Sequence, residues 1–259
     1  MRLAVVILAA SARLVVADTA HEQKLARLAA LGPSGLPALC GRAQIGMTER
    51  ELAKAWPAWD PDQLDTVEPL FDADGHVRAI MLGLSPTIEP TREFAVLEQV
   101  WGTPAFASDH ARIWLWPERH LRGLVSAKFA PTIERYMPLA DLDLDARLAV
   151  AGMTLGDAKR TLGGSTVVSH GYVDVDFAAS EYGTVKLKAH VVDGKLADVS
   201  LHVVFPPGAM PRVLDELRAR NGPFIEADHR HWRGKRQLVL EAGQFDDFGE
   251  LTVTRAGID

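Results

Sequence analysis

The chain has 259 residues, of which 47% are hydrophobic and 24% are charged, so it is neither a fully disordered nor a polytopic membrane protein. Its formal net charge of −6 at pH 7 argues against a nucleic-acid partner, because such a partner normally requires a basic surface. A single cysteine, Cys40, excludes an internal disulfide and a cysteine-rich metal site.

The N-terminus resembles a secretory signal peptide. Arg2 precedes the apolar run 3–10, and small or modest residues up to Ala17 suit a signal peptidase. The alternative is a first buried strand or helix of a cytoplasmic protein. We predict a signal peptide over residues 1–20 and a periplasmic or secreted protein. No other stretch approaches the roughly 20 apolar residues that span a bilayer, so we expect no transmembrane segment in the mature chain.

The next elements follow from local signals. Residues 21–45 form a helical lead-in, with leucines at helical spacing between 21 and 31. Thr48 is placed to cap a second helix, and Glu51 three residues later completes a capping box. Strands are predicted at 67–71 and 77–84 on either side of a turn that contains Gly75, because glycine accepts the positive φ that such turns need.

A further helix and several strands complete the first half. The pattern predicts a helix over 91–101, ended by Gly102, and strands over 113–116 and 124–129. Residues 132–140 are ambiguous, and residues 141–146 are interpreted as the join between two halves.

The second half repeats the same signals. Thr154 is placed to cap a helix that ends at 163–164, and the alternating stretch 172–177 predicts a strand. A hairpin is predicted from 185–192 and 196–205, then a helix over 210–221. Closing strands are predicted around Trp232, at 237–241 and at 251–254.

The tripeptide Gly-Met-Thr occurs twice, at 46–48 and at 152–154, and each copy precedes a helix, an Asp-Gly hairpin and a second helix. A repeat this long indicates duplicated domains rather than a solenoid. We predict an α+β fold of two tandem units, 46–140 and 141–259, each an antiparallel sheet packed against two helices.

These motifs resemble the superfamily of β-lactamase inhibitor proteins and small outer-membrane assembly lipoproteins, in which Gly-Met-Thr starts a helix that packs on an antiparallel sheet. The stretch LEQVWGTP at 97–104 is similar to that superfamily's helix-ending Leu-Gly-x-Pro. Tandem duplication and export are also characteristic there. The resemblance implies an exported binding module and gives no catalytic residues to carry over.

Asp228, His229 and His231 are the candidate metal ligands. On a strand, residues two apart share a face, so the two histidines could reach one metal ion. A catalytic zinc site usually needs a third ligand, for which Asp228, Glu226 and His202 are candidates by residue type alone. The alternative is that Asp228 caps a turn beside a half-exposed histidine.

Arg112, Trp114, Trp116 and Trp232 are the candidate binding residues. Trp114 and Trp116 share one face of a predicted strand, with Arg112 in register beside them. If that face is outside, it is a contact patch, since Trp and Arg are common in binding hot spots. If it is inside, these residues belong to the core.

The leading functional hypothesis is an exported, non-enzymatic tandem-repeat protein that binds a protein or an envelope component and needs no cofactor. The sequence contains no Gly-x-Ser-x-Gly motif and no phosphate-binding glycine loop. The competing hypothesis is a metal-dependent hydrolase at His229 and His231, and a third is a structural domain of a larger assembly.

Overall fold

A computed structural model describes residues 20–56, 67–72, 74–83, 89–126, 129–141, 143–162, 165–169, 171–228, 231–234, 238–244 and 248–255, with some side chains in the later strands left out. Residues 1–19 of the predicted signal peptide and His229 lie outside this description. The chain is 31% helical and 41% strand and contains two antiparallel sheets, which confirms the predicted α+β class.

Two compact units divide the chain. Unit 1 comprises Met1–Phe71, Gly75–Ala107 and Arg112–Glu134, and unit 2 comprises Asp72–Asp74, Ser108–Ala111 and Arg135–Asp259. No helix in the described part of the chain has both the length and the apolar character needed to cross a membrane.

The described part of unit 1 contains three α-helices and a six-stranded sheet. The helices are α1 (20–29), α2 (Glu49–Ala55) and α3 (Pro90–Trp101). The strands are β1 (Val67–Phe71), β2 (Val77–Leu82), β3 (Phe106–Ala107), β4 (Ala111–Trp116), β5 (Leu121–Ser126) and β6 (Phe129–Arg135). Their order in sheet 1 is β1-β2-β6-β5-β4-β3.

The helices of unit 1 begin and end where the local signals predict. The Thr48 hydroxyl accepts the Glu51 backbone N–H, and the Glu51 carboxylate accepts the Thr48 N–H at 2.9 Å, so the predicted capping box is confirmed. Gly102 ends α3 at φ 83°, and its N–H donates to the carbonyl of Glu98 at 3.0 Å.

One hydrophobic cluster joins the helices of unit 1 to one face of sheet 1. Leu25 of α1, Leu52 of α2 and Phe94 of α3 are buried in it together with strand residues such as Ile80 and Val125. Burial of this kind is the main favourable term in folding, so the cluster holds the three helices against the sheet.

The described part of unit 2 contains three α-helices, a short 3₁₀ helix (Leu139–Asp141) and an eight-stranded sheet. The helices are α4 (Leu144–Leu148), α5 (Leu155–Leu162) and α6 (Met210–Asn221). The strands are β7 (Ser165–Ser169), β8 (Tyr172–Ala179), β9 (Thr184–Val192), β10 (Lys195–Phe205), β11 (Ile225–Asp228), β12 (His231–Arg233), β13 (Leu238–Gln244) and β14 (Gly249–Arg255). Their order in sheet 2 is β11-β12-β13-β14-β10-β9-β8-β7.

The two sheets share one strand order. From β9 to β11, sheet 2 runs β9-β10-β14-β13-β12-β11, which corresponds strand for strand to β1-β2-β6-β5-β4-β3. In both units a hairpin precedes a twelve-residue helix, and four more strands follow that helix. Sheet 2 differs by the two additional strands β7 and β8 beside β9.

The elements differ from the sequence prediction in several places. The predicted strand 124–129 combines the end of β5 with the start of β6. The interval interpreted as a join overlaps the short helix α4, capped by Asp143, whose carboxylate accepts the Ala146 N–H at 3.1 Å. Strands β3, β7 and β11 were not predicted; β3 has only two residues, and the residues of β7, Ser-Thr-Val-Val-Ser, do not alternate between polar and apolar.

Candidate functional site

The outer face of sheet 2, opposite its buried side chains, is polar because residues alternate along each strand. On β9, Val185 and Leu187 are buried, whereas Lys188 lies on the other face. On β10, Leu201 is buried, and its neighbour His202 lies on the outer face. Alternation therefore brings ionisable side chains of several strands onto one surface.

A groove of about 390 Å³ lies on this outer face over β8, β9 and β10. Its volume is within the range of small-ligand sites. The residues that line it are Tyr172, Val173, Asp174, Lys188, Ala189, His190, Asp198, Ser200 and His202.

One end of the groove is formed by Tyr172, His190 and Asp198. The Tyr172 ring meets the His190 ring edge to face, with centroids 4.4 Å apart, and Tyr172 is 57% exposed. The register of β9 and β10 shifts between Ala197 and Ser200, as at a β-bulge, and Asp198 there has φ 49°. Its carboxylate lies 3.1 Å from Nδ1 of His190.

The other end contains a chain of hydrogen bonds from Ser200 through His202 to Glu250. Oγ of Ser200 lies 2.9 Å from Nε2 of His202, and Nδ1 of His202 lies 2.7 Å from Oε1 of Glu250. Lys188, which is paired with Ser200 across the strands, places Nζ 3.4 Å from the same Oε1. The cation, imidazole, hydroxyl and carboxylate form one connected polar group.

Burial and charge set the protonation states of this group. Burial lowers the pKa of His202, and this effect outweighs the hydrogen bond to Glu250, which raises it. Burial raises the pKa of Glu250, but the hydrogen bond and charge of His202, with the charge of Lys188, reverse that effect and give a lowered pKa. Near neutral pH, a neutral imidazole therefore faces an ionised carboxylate.

Arg112, Trp114 and Trp116 lie on β4 in unit 1. Nε of Arg112 lies 2.8 Å from Oε1 of Glu98, and its guanidinium stands 4.7 Å from the centre of the Phe94 ring. Trp114 is 1% exposed and donates Nε1–H to the carbonyl of Gly102 at 2.7 Å. Its ring therefore belongs to the core of unit 1.

Trp116 is only partly buried and packs against that core. Its ring meets the Trp101 ring edge to face at 5.7 Å, and the Trp114 ring meets Trp101 in the same way at 5.0 Å. Of the four candidate binding residues, Arg112 and Trp116 are thus the two described as partly accessible. Trp232 lies on β12, and its side chain is outside the description.

The candidate metal ligands lie at the far side of sheet 2. Asp228 on β11 and His231 on β12 are paired across the strands. Their side chains and all of His229 lie outside the description. His231 is in register with Glu241, Thr252 and then His202, so His202 is three strand spacings away, about 14 Å. His202 therefore cannot complete a site with His231.

Among the side chains that the structure describes, no three or more of the types His, Cys, Asp and Glu are arranged to hold a metal ion.

The sequence analysis did not bring together Ser200, His202 and Glu250. His202 and Glu250 are separated by 48 residues and meet only because β10 pairs with β14. The available local signal was the alternation of polar residues on both strands of the hairpin, with Lys188 and His190 on one strand and Ser200 and His202 on the other. Comparison of the chain with protein-family models, with curated proteins and with solved structures found no match.

Proposed function

We propose that this chain is an exported protein-binding or envelope-associated protein made of two copies of one α+β unit, and that it contacts its partner through the groove of sheet 2. The observation that carries the proposal is an open groove lined by ionisable side chains, with an exposed aromatic residue at one end. The export of the chain, its duplication and its partner each have separate support.

Hydrogen bonds at the two Gly-Met-Thr motifs support the duplication. Each motif exchanges two backbone hydrogen bonds with the second strand of the hairpin that follows it. The bonds run from Gly46 N to Val77 O (2.7 Å), Val77 N to Met47 O (2.7 Å), Gly152 N to Leu196 O (2.8 Å) and Leu196 N to Met153 O (2.9 Å). Two copies of one ancestral unit would retain both this contact and the common strand order.

The chemistry of the groove favours a polar protein surface as the ligand. Tyr172 offers an apolar ring with a polar tip, a combination that is common in protein interfaces. Asp174 and Asp198 add negative charge, and Lys188 adds positive charge, so a partner with both signs of charge is complementary. The signal-like N-terminus indicates that the chain meets this partner outside the cytoplasm.

Site-specific photo-crosslinking in the cells that make the protein tests the binding site. A benzophenone side chain at Tyr172 should give one discrete adduct, because this ring lies at the groove. The matched control is the same probe at Leu39, which is 53% exposed in unit 1. Adducts of equal yield from both positions, or none from position 172, would contradict the proposal.

Export is tested by the mass of the protein from the periplasm or the medium. We expect a mature chain that lacks the predicted signal peptide, with cleavage between Ala17 and His21. A protein that retains Met1 and Arg2 and stays in the cytoplasm would overturn the export proposal and would require a cytoplasmic partner.

The metal-dependent hydrolase is the second candidate function. It is supported by the pairing of Asp228 with His231, which brings two residues of ligand type together at one hairpin. Elemental analysis of the purified protein with a His231→Ala variant tests it. Stoichiometric metal that is lost in the variant would favour the hydrolase over a pure binding function.

A further inference from the structure

The ionised Glu250 carboxylate determines which atoms donate and which accept in the hydrogen bonds that link Ser200, His202 and Glu250. Because Glu250 carries no proton, the 2.7 Å contact requires His202 to donate Nδ1–H. A neutral imidazole then has its lone pair on Nε2, so Ser200 donates its hydroxyl hydrogen to Nε2 across 2.9 Å. The Ser200 oxygen is therefore hydrogen-bonded to a base whose tautomer is fixed by a carboxylate.

This is the arrangement that activates a serine as a nucleophile. The base must be neutral to accept the hydroxyl proton, and burial of His202, whose side chain is 13% exposed, favours its neutral form. The carboxylate orients the ring and stabilises the imidazolium that forms when the proton is transferred. Ser200 does not need a sharp strand-to-helix turn to meet its base, because it is two residues from His202 on the same strand face.

The surroundings of Ser200 can accommodate a substrate and a developing negative charge. Ser200 and His202 both line the groove, so a molecule bound there can reach Oγ. Lys188 is paired with Ser200 across β9 and β10, and its ammonium group, 3.4 Å from Oε1 of Glu250, supplies positive charge beside this chain of hydrogen bonds. A volume of about 390 Å³ fits a small ester rather than a long chain.

We propose that Ser200, His202 and Glu250 form a nucleophilic site that hydrolyses small carboxylic esters in the groove of sheet 2. Ser200 Oγ bonds to the ester carbonyl carbon while His202 Nε2 takes the hydroxyl proton. The carbon–oxygen bond to the alcohol breaks, and the alcohol leaves with that proton. Water then attacks the acyl-serine with His202 as base, which releases the acid and restores Ser200. The reaction goes beyond binding, which makes or breaks no bond.

A fluorophosphonate probe tests the nucleophile without a known substrate. Oγ of Ser200 forms a bond to phosphorus, fluoride leaves, and the hydroxyl proton passes to His202. We expect one adduct per full-length chain, mapped to Ser200 by peptide mass spectrometry, and none in Ser200→Ala. The absence of an adduct at Ser200 in the folded wild-type protein would overturn the proposal.

Three variants distinguish a serine activated by its neighbours from one that reacts only because it is exposed. His202→Asn should slow labelling at least 100-fold, since a positioned general base contributes about 10²- to 10⁴-fold. Lys188→Ala should slow it at least tenfold, whereas Lys195→Ala, which removes one positive charge at the exposed start of β10 outside the groove, should leave it within twofold. Equal labelling rates in wild type and His202→Asn would contradict the role of the base.

The pH profile of wild-type labelling needs no variant and so does not depend on whether a variant folds. His202 is faced by Lys186 and Lys188 on β9, Asp174 on β8 and Glu250 on β14. We expect the rate to fall on acidification below pH 6.5, as the imidazole becomes protonated. A rate that stays constant from pH 8 to pH 4 would exclude His202 as the base. The photo-crosslink at position 172 in the wild-type protein reports partner binding independently of labelling, so loss of labelling and loss of binding are distinguishable.

Discussion

At the scale of single residues, Glu93 in the first turn of α3 shows how burial changes a carboxyl group. Burial raises the pKa of Glu93 from 4.5 to about 7. In the unfolded chain this carboxyl loses its proton near pH 4.5, whereas in the folded chain it keeps the proton up to about pH 7. The folded state therefore loses stability as the pH rises from 4.5 to about 7, and the loss persists above that pH.

We expect Glu93→Gln to raise the free energy of unfolding by about 1 kcal/mol at pH 8 and to leave it nearly unchanged at pH 4. The amide removes the cost of ionising a half-buried carboxyl, and contact with water reduces that cost below the full value of the shift. Urea denaturation at the two pH values measures the difference. The matched control is Glu49→Gln, an exposed carboxylate in the first turn of α2. Equal effects of the two substitutions at pH 8 would contradict the prediction.

The residues of the candidate site show which contacts could be predicted from the sequence and which could not. Ser200 and His202 are two residues apart, and alternation places them on one face. Glu250 comes from β14, and no local pattern states that β14 pairs with β10 rather than with another strand. Trp114 and Arg112 share a predicted face, but only the packing of α3 decides that the Trp114 ring is buried beneath it.

At the scale of elements, the two Gly-Met-Thr motifs have the same backbone requirement. Gly46 has φ 94° and Gly152 has φ 82°, values that L side chains rarely adopt. A Cβ atom at either position would meet no other atom within 4 Å. Substitution with alanine therefore tests backbone strain without a steric clash.

We expect Gly46→Ala and Gly152→Ala each to lower the free energy of unfolding by about 1 kcal/mol, and by similar amounts if the motifs are equivalent. The control is Gly156→Ala in α5, where φ is not positive and the added methyl group should stabilise the helix by about 0.5 kcal/mol. Urea denaturation of the three variants provides the comparison. A stabilising effect at Gly46 or Gly152 would contradict the assigned strain.

Helices and hairpins could be predicted from the sequence because their signals lie within a few residues. The capping box at Thr48, the Asp-Gly turns and Gly102 all act over less than two helical turns, and α2, α3 and α6 begin and end close to the predicted positions. The order of strands was not predictable, since it depends on pairings between residues far apart in the chain. Strand β7 was missed because its five residues, Ser-Thr-Val-Val-Ser, do not alternate between polar and apolar side chains.

At the scale of the whole molecule, the position at which unit 2 begins can be tested. The sequence predicted a join at 141, whereas residues from Arg135 onward group with unit 2. Tyr136 is buried and bridges to Ala179 on β8, and Met137 donates its N–H to the carbonyl of Ala179 at 2.9 Å. Leu139 is buried in the short 3₁₀ helix that packs against α6. These contacts lie within unit 2.

We expect a fragment of residues 135–259 to unfold cooperatively and a fragment of residues 141–259 to be less stable by roughly 3 kcal/mol. The shorter fragment loses the burial of Tyr136 and Leu139, and each such side chain contributes about 1.5–3 kcal/mol. It also leaves the apolar surface beneath them open to water. Urea denaturation followed by far-ultraviolet circular dichroism measures both fragments. Equal stability would place the start of the second unit at 141, and the absence of a cooperative transition in 135–259 would mean that unit 2 needs unit 1 to fold.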